Sequence, residues 1–295
     1  MKIKKSLGGR IFDCINVLFF IAFAVLCVLP IWHVVCASFS DASWVMAQTG
    51  IITRIKGFNL NGYKLVFANN EIWSGYLNTI FYVVATTVLG LLITVMVAYV
   101  TAIKDVLWAD AIMLFASFTM VFNGGIISSY IINTQVLHLY NTRWAIILPG
   151  AFSVMYLILI RTAMKSVPES LVESARLDGA GHMTTLFSIM LPLIKATLAT
   201  VILYYVVMQW NSWFQAAVYL RDRSLYPLQI IIKEILVTGD VSSVSNSTDI
   251  TGDITLYKQL IKYCTIVVSI APIFAFYPFI QKYFESGVMI GAVKG

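Results

Sequence analysis

The residues best suited to do chemistry form one polar segment between apolar runs. It reads Glu173-Ser174-Ala175-Arg176-Leu177-Asp178-Gly179-Ala180, and Ile189-Met190-Leu191-Pro192 follows Gly179 across an interval of nine residues. The chemistry it offers is docking. Ser166-Val167-Pro168-Glu169 has the spacing of a capping box with proline in the first turn, so a helix is expected from there to Asp178, stopped by Gly179 in a left-handed conformation. At about 100° per residue, Pro168, Leu171, Val172 and Ala175 share one stripe, with Glu169, Glu173 and Arg176 opposite. Leu177 breaks the pattern: it projects beside Glu173 as an apolar knob ringed by charge, which suits a helix inserted into a partner's cleft. Met183, Leu186, Phe187 and Met190 then repeat at helical spacing, an amphipathic turn that Pro192 is expected to end. An interfacial helix lying on its own bundle would fit the same pattern.

Other groups carry less. His33, His138 and His182 lie in separate regions, with no His/Asp/Glu grouping suited to a metal or an acid–base pair, so no catalytic or metal-binding residue is expected. Cys14, Cys27, Cys36 and Cys264 fall within or beside apolar runs without ligand spacing, and read as inert buried thiols. There is no Gly-x-x-x-x-Gly-Lys-Ser/Thr phosphate loop, so any ATP is bound elsewhere. Tyr204, Tyr205, Trp210, Asn211, Ser212, Trp213 and Gln215 set aromatic faces beside amide and hydroxyl groups, a chemistry suited to sugar rings. A membrane-interface aromatic belt has the same composition.

The elements that must position these residues are membrane spans. Of 295 residues, 59% are hydrophobic and only 12% charged, against roughly 25% charged in soluble domains, so the chain is all-α and polytopic. Its net charge of +6 is scattered around apolar runs and forms no basic stripe, which excludes nucleic acid as a partner. Apolar runs near the roughly 20 residues needed to cross a bilayer occur at 14–38, 77–103, 109–133, 144–164, 196–218 and 261–283. The expected layout is a tail over 1–13, a first span over 14–38, a core over 74–284 containing a loop at 166–195, and a tail over 285–295. Asn123-Gly124-Gly125 should bend the third run, and Pro272 and Pro278 the last. Asn123, at that break, is a further candidate for lining a pathway. With the termini cytoplasmic, eleven of the 20 Lys and Arg residues fall inside, and the cluster Lys2, Lys4, Lys5 and Arg10 decides the orientation.

From Glu173 to Pro192 the chain resembles the EAA loop of inner-membrane permease subunits of binding-protein-dependent ABC importers: Glu-Ala-Ala, three residues, Gly, nine residues, Ile-x-Leu-Pro. Ser174 stands where the pattern has its first Ala. Leu77-Asn78-Thr79, Tyr140-Asn141-Thr142-Arg143-Trp144, Tyr226-Pro227-Leu228-Gln229 and the ending Gly291 to Gly295 are similar to the carbohydrate-uptake, maltose-transporter branch, nearest to its oligosaccharide and polysaccharide-fragment permeases. The resemblance implies a type I importer permease of the bacterial cytoplasmic membrane, not itself an enzyme, that carries a carbohydrate by alternating access. It implies a homologous second permease, two ATPase subunits that bind ATP and Mg, and an extracytoplasmic solute-binding protein, with no cofactor in this chain. It makes Glu173, Ala175, Leu177, Asp178 and Gly179 the ATPase-coupling residues. Tyr204, Trp210, Asn211, Trp213 and Asn123 remain the substrate-path candidates.

The connection 219–258 is longer than a bundle loop needs. Leu228 to Leu236 reads as an amphipathic helix, and the Ser-rich stretch that follows is, by the same resemblance, expected to meet the binding protein through Ser242, Ser245 and Asp253; a floppy insertion fits equally. The alternatives are a permease for a non-sugar solute or, from another class, a membrane scaffold or enzyme subunit.

Overall fold

Apolar residues on all sides and few breakers make most of this chain helical, and among the described residues there is no strand. The computed structural model describes residues 7–103, 106–238 and 254–292, except the side chains of 238, 254–256, 276–277 and 279–292. Ser242, Ser245 and Asp253 lie outside the described residues. In chain order the helices are α1 (Leu7–Ser38), α2 (Ala42–Ala47), α3 (Asn61–Ala68), α4 (Asn70–Ala102), α5 (Ala109–Val121), α6 (Gly125–Ile131), α7 (Trp144–Gly150), α8 (Val154–Lys165) and α9 (Glu169–Leu177). They continue as α10 (His182–Thr184), α11 (Leu191–Leu193), α12 (Lys195–Trp210), α13 (Phe214–Tyr219), α14 (Leu228–Lys233) and α15 (Ile254–Ala292). Wider π turns extend α6 through Ile132–Val136, join α10 to α11 through Thr185–Met190, and extend α14 through Glu234–Thr238.

Among the described residues, α1, α4 and the stretch Tyr257–Ala275 can each cross a membrane by length and composition, and three bent helix pairs bring the number to as many as six. The bend expected in the third run is present, and two further breaks were not foreseen. The third run turns by 116° between α5 and α6, somewhat past a right angle. Phe122 is extended and Gly125 takes φ +77°, open only to glycine without strain, so the chain redirects at Asn123-Gly124-Gly125. The fourth run bends by 43° between α7 and α8, where Ser153 is extended. Pro192 does not end its helix; the break comes at Ile194, with an 85° turn into α12. α15 runs through Pro272 and Pro278 without interruption and on to Ala292.

The chain divides into two compact units, Met1–Asn70 with Glu234–Ala271, and Glu71–Lys233 with Pro272–Gly295. In the first, α1 buries only Cys36, Ala37 and Ser38. Its end is held by the Tyr63 hydroxyl, which donates to Ser38 Oγ at 2.7 Å, and by the Cys264 thiol, which donates to the Ser38 carbonyl at 3.4 Å. Cys36 and Cys264 are buried, whereas Cys14 and Cys27 are exposed on α1, which corrects the expectation of four buried thiols. An apolar helix uncovered by its own chain leaves its cysteines uncovered too.

The second unit is built around α4, whose buried face repeats small and polar residues: Gly75, Asn78, Thr79, Thr86, Thr87, Gly90, Thr94, Ala98 and Thr101. Small residues let helices approach closely where no water drives association. A Cβ on Gly90 would fall 2.7 Å from the Tyr205 ring and 2.8 Å from the Ala151 carbonyl. Tyr205 is thereby fixed, its hydroxyl bonded to Thr94 Oγ1 at 2.9 Å and to the Ala151 carbonyl at 3.2 Å. Leu157, Ile160, Met164, Leu186 and Val201 complete a core against this face.

Candidate functional site

The polar segment around α9, expected to dock, is closed by its own backbone. At its start, Ser166 does not cap α9: its hydroxyl donates to the Ala163 carbonyl at 2.7 Å and finishes α8. Pro168, at φ −56° and ψ 127°, stands before the helix and no side chain caps it, so the expected capping box is absent. The preceding helix reaches Lys165 and takes the serine first. At its end, Gly179 takes φ +83°; its N–H donates to the Arg176 carbonyl at 3.0 Å and the Ala180 N–H to the Ala175 carbonyl at 2.9 Å. That pair of bonds is a Schellman closure, which satisfies carbonyls left open at a helix end. Nothing lies within 4 Å of a Cβ built on Gly179, so conformation alone demands glycine there.

Burial along α9 is narrower than the stripe expected from sequence. Ala175 is buried and Val172 half-buried, while Pro168 and Leu171 are exposed. Glu173, Arg176 and Asp178 are exposed, and Leu177 is 89% exposed. A hollow of about 530 Å³, lined by Ile103, Met164, Glu169, Val172, Glu173 and Arg176 among others, lies along one side of α9. A second, of about 610 Å³, is lined by Val106, Arg176, Gly179, His182 and Thr185 among others, so Arg176 stands in the wall between them. His182 Nδ1 lies 3.2 Å from the Tyr99 hydroxyl. Beyond it, the π turn displaces the expected apolar stripe. Leu186 and Met190 are buried, but Met183 and Phe187 are 56% and 53% exposed, because i→i+5 bonding rotates each residue less than an α-helix does.

The substrate-path candidates do not gather into one place. Asn123 Oδ1 accepts the Gly125 N–H at 2.9 Å and so shapes the α5–α6 turn. Tyr204, halfway along α12, stacks on Tyr156 with ring centroids 5.8 Å apart. Trp210, Asn211 and Trp213 stand together where α12 gives way to α13. Trp210 is buried with its ring 6.2 Å from Tyr76, and its indole N–H has no partner, at a cost of about 1–3 kcal/mol. Asn211 Nδ2 donates to the Val207 carbonyl at 2.8 Å. Trp213 is exposed, with Lys233 Nζ 3.3 Å above its ring centre.

The segment 219–227 is tied down from a distance. Asn141, at φ 57°, accepts the Arg221 and Asp222 N–H groups on Oδ1, both at 2.9 Å. Asn78 Nδ2 donates to the Ser224 and Tyr226 carbonyls at 2.7 and 3.1 Å, and the Tyr82 hydroxyl to that of Leu225 at 2.8 Å. Arg223 forms a two-point ion pair with Glu71, at 3.1 and 2.9 Å. The Ser224 N–H, bonded to the Asp222 carboxylate at 2.9 Å, holds that carboxyl below its usual range. α14, expected to be amphipathic, buries Leu228, Ile230, Ile231 and Ile232. Gly75 makes this possible: a Cβ there would fall 2.7 Å from Ile231 Cδ1 and 3.1 Å from Leu228 Cα.

No family model matches the chain. Individual proteins do. It is 33% identical over 292 residues, 97% of this chain and 99% of the relative, to the polygalacturonan/rhamnogalacturonan transport system permease protein YtcP of Bacillus subtilis (strain 168). To the arabinooligosaccharides transport system permease protein AraQ of the same organism it is 27% identical, covering 94% of each chain. It superposes with a TM-score of 0.86 and 29% identity on a chain of a bacterial ABC transporter involved in the import of the acidic polysaccharide alginate, covering 96% of this chain and all of that one. The chain is a carbohydrate ABC-importer permease.

In this permease the sequence reading located α9 and its glycine end because Glu173, Gly179 and Pro192 keep a fixed local spacing. It missed Lys233 as the partner of Trp213, and Glu71 as the partner of Arg223, since each pair is separated by many residues. Asn141 carried a signal, an asparagine in a polar cluster, the residue besides glycine that best tolerates a positive φ.

Proposed function

We propose that this permease imports fragments of an acidic polysaccharide across a bacterial cytoplasmic membrane. It pairs with a homologous permease, two ATPase subunits that bind ATP and Mg on the cytoplasmic side, and an extracytoplasmic solute-binding protein. The observation that carries the reading is full-length similarity to a polygalacturonan/rhamnogalacturonan permease. Likeness to an importer of the acidic polysaccharide alginate supports the same cargo chemistry. In this reading α9 is the coupling helix: Leu177 enters a cleft of the ATPase, Glu173 and Asp178 meet its rim, and Gly179 sets the exit angle. ATP-driven closure of the ATPases moves α9, and the two permeases open to the outer side to receive cargo. Both termini are cytoplasmic, which puts α9 inside and 219–227 outside.

The test is uptake of labelled oligogalacturonides and arabino-oligosaccharides by cells with and without the gene. Loss of the acidic cargo alone is expected on deletion; loss of only the neutral one sinks the acidic reading. For orientation, cysteines placed at Arg221 and Thr184 in a background lacking the native four should react with an impermeant thiol reagent from outside and only after permeabilisation, respectively. Labelling of both from the same side overturns the layout.

A further inference from the structure

Two cations on the segment 219–233 are treated differently by the fold. Arg223 is matched at two points by Glu71. Lys233 ends α14, is half-buried, and has its ammonium 3.3 Å above the centre of the Trp213 ring; among the described residues no carboxylate pairs with it. The ring attracts the cation but leaves donors on the far side of the ammonium unspent, since a π face provides no acceptor lone pair. Where α12 ends, three residues before Trp213, Trp210 holds a buried indole N–H without an acceptor. Tyr76 lies against Trp210, and α14 is drawn onto the same end of α4 at Gly75, so an aromatic surface, an unmatched cation and an unmatched donor converge.

We infer that Lys233 and Trp213 form a subsite for the carboxylate of a uronate residue in the cargo, with Trp210 supplying the neighbouring sugar contact. The inference rests on the acidic-glycan reading above and assigns residues to it. A uronate supplies what the site lacks: an anion for the ammonium, hydroxyl oxygens for the indole N–H, and an apolar ring face for the aromatic surface. A neutral sugar meets the last two only. Lys233 therefore selects charge, while Trp210 and Trp213 select a sugar.

The experiment uses the complete transporter, with its second permease, ATPases and binding protein, in proteoliposomes. Uptake of a galacturonate trisaccharide is compared with that of its methyl ester. Lys233→Met should lower uptake of the acid about tenfold and change that of the ester less than twofold; Lys233→Arg should keep acid uptake within threefold of wild type. If Lys233→Met lowers both cargoes equally, or neither, Lys233 is a structural or lipid-headgroup anchor and the subsite is wrong while the acidic reading stands. If wild type carries the acid but not the ester, the Met and Arg variants decide on the acid alone, and an equal loss in both overturns the subsite. A wild-type complex that refuses the acid overturns the acidic reading and the subsite together.

Discussion

The docking segment around α9 and the segment 219–227 are both polar stretches between apolar helices, yet they are held in opposite ways. α9 is closed by bonds among neighbours, Gly179 to Arg176 and Ala180 to Ala175, and presents Leu177 almost bare. The 219–227 segment is held by Asn78, Tyr82, Asn141 and Glu71, residues far away in sequence. A locally closed helix can shift as a rigid piece without breaking its own bonds, as a lever must. A segment bonded to α4 at several points keeps its place relative to that helix, as a receiving surface must.

The sharpest break in this comparison comes from Leu177→Asp and Glu173→Lys. Both side chains are exposed on this chain, so neither change should alter the melting temperature of the permease separated from its ATPases by more than about a degree, since surface substitutions usually stay within 0.5 kcal/mol. Transport and cargo-stimulated ATP hydrolysis should nevertheless be abolished. Normal uptake by a well-expressed Glu173→Lys protein would end the docking role of α9.

Asn141→Ala should do the reverse. Removing the acceptor of two backbone N–H groups and placing a poorer residue at positive φ should cost about 2–4 kcal/mol, read as a lowered unfolding midpoint, with coupling per folded complex intact. Asn141→Asp keeps the acceptor and should recover most of the loss; equal damage from Asp and Ala would show that the two bonds do not hold the segment.

Gly179 separates conformation from space. Since no atom would touch an added Cβ, Gly179→Ala should cost about 1–2 kcal/mol and Gly179→Val more, through the positive φ alone. If Val is tolerated as well as Ala, α9 does not end in a left-handed glycine.

The smallest effect concerns Asp222. Its carboxyl is lowered by the Ser224 N–H, so the folded state binds its proton less readily than the unfolded chain. The stabilisation is present above the unfolded value of about 4 and is lost as pH falls through the lower folded value. An Asp222→Asn complex should show a slightly flatter stability profile below pH about 4; an unchanged profile would remove that carboxylate from the fastening of the segment.

Much of the permease was legible from local pattern. Apolar runs of bilayer length, the glycine stop at Gly179 and the spacing from Glu173 to Pro192 are properties of consecutive residues, and a helix forms from consecutive residues. The family resemblance followed from the same spacing. What remained hidden needed a partner. Ser166 could cap the helix before it or the one after it, and only the observed length of α8 shows that its hydroxyl goes backwards. The size of the turn between α5 and α6, 116°, needed the actual φ of Gly125, since a glycine permits many directions and specifies none. The burial of α14 needed the missing Cβ of Gly75, and the pairing of Lys233 with Trp213 needed two segments brought together. Sequence by itself thus determined the apolar helical runs, the stop at Gly179 and the spacing from Glu173 to Pro192, because these arise from bonds between near neighbours. The tertiary structure alone decided which side chains meet, because close packing chooses among faces that the sequence leaves equivalent.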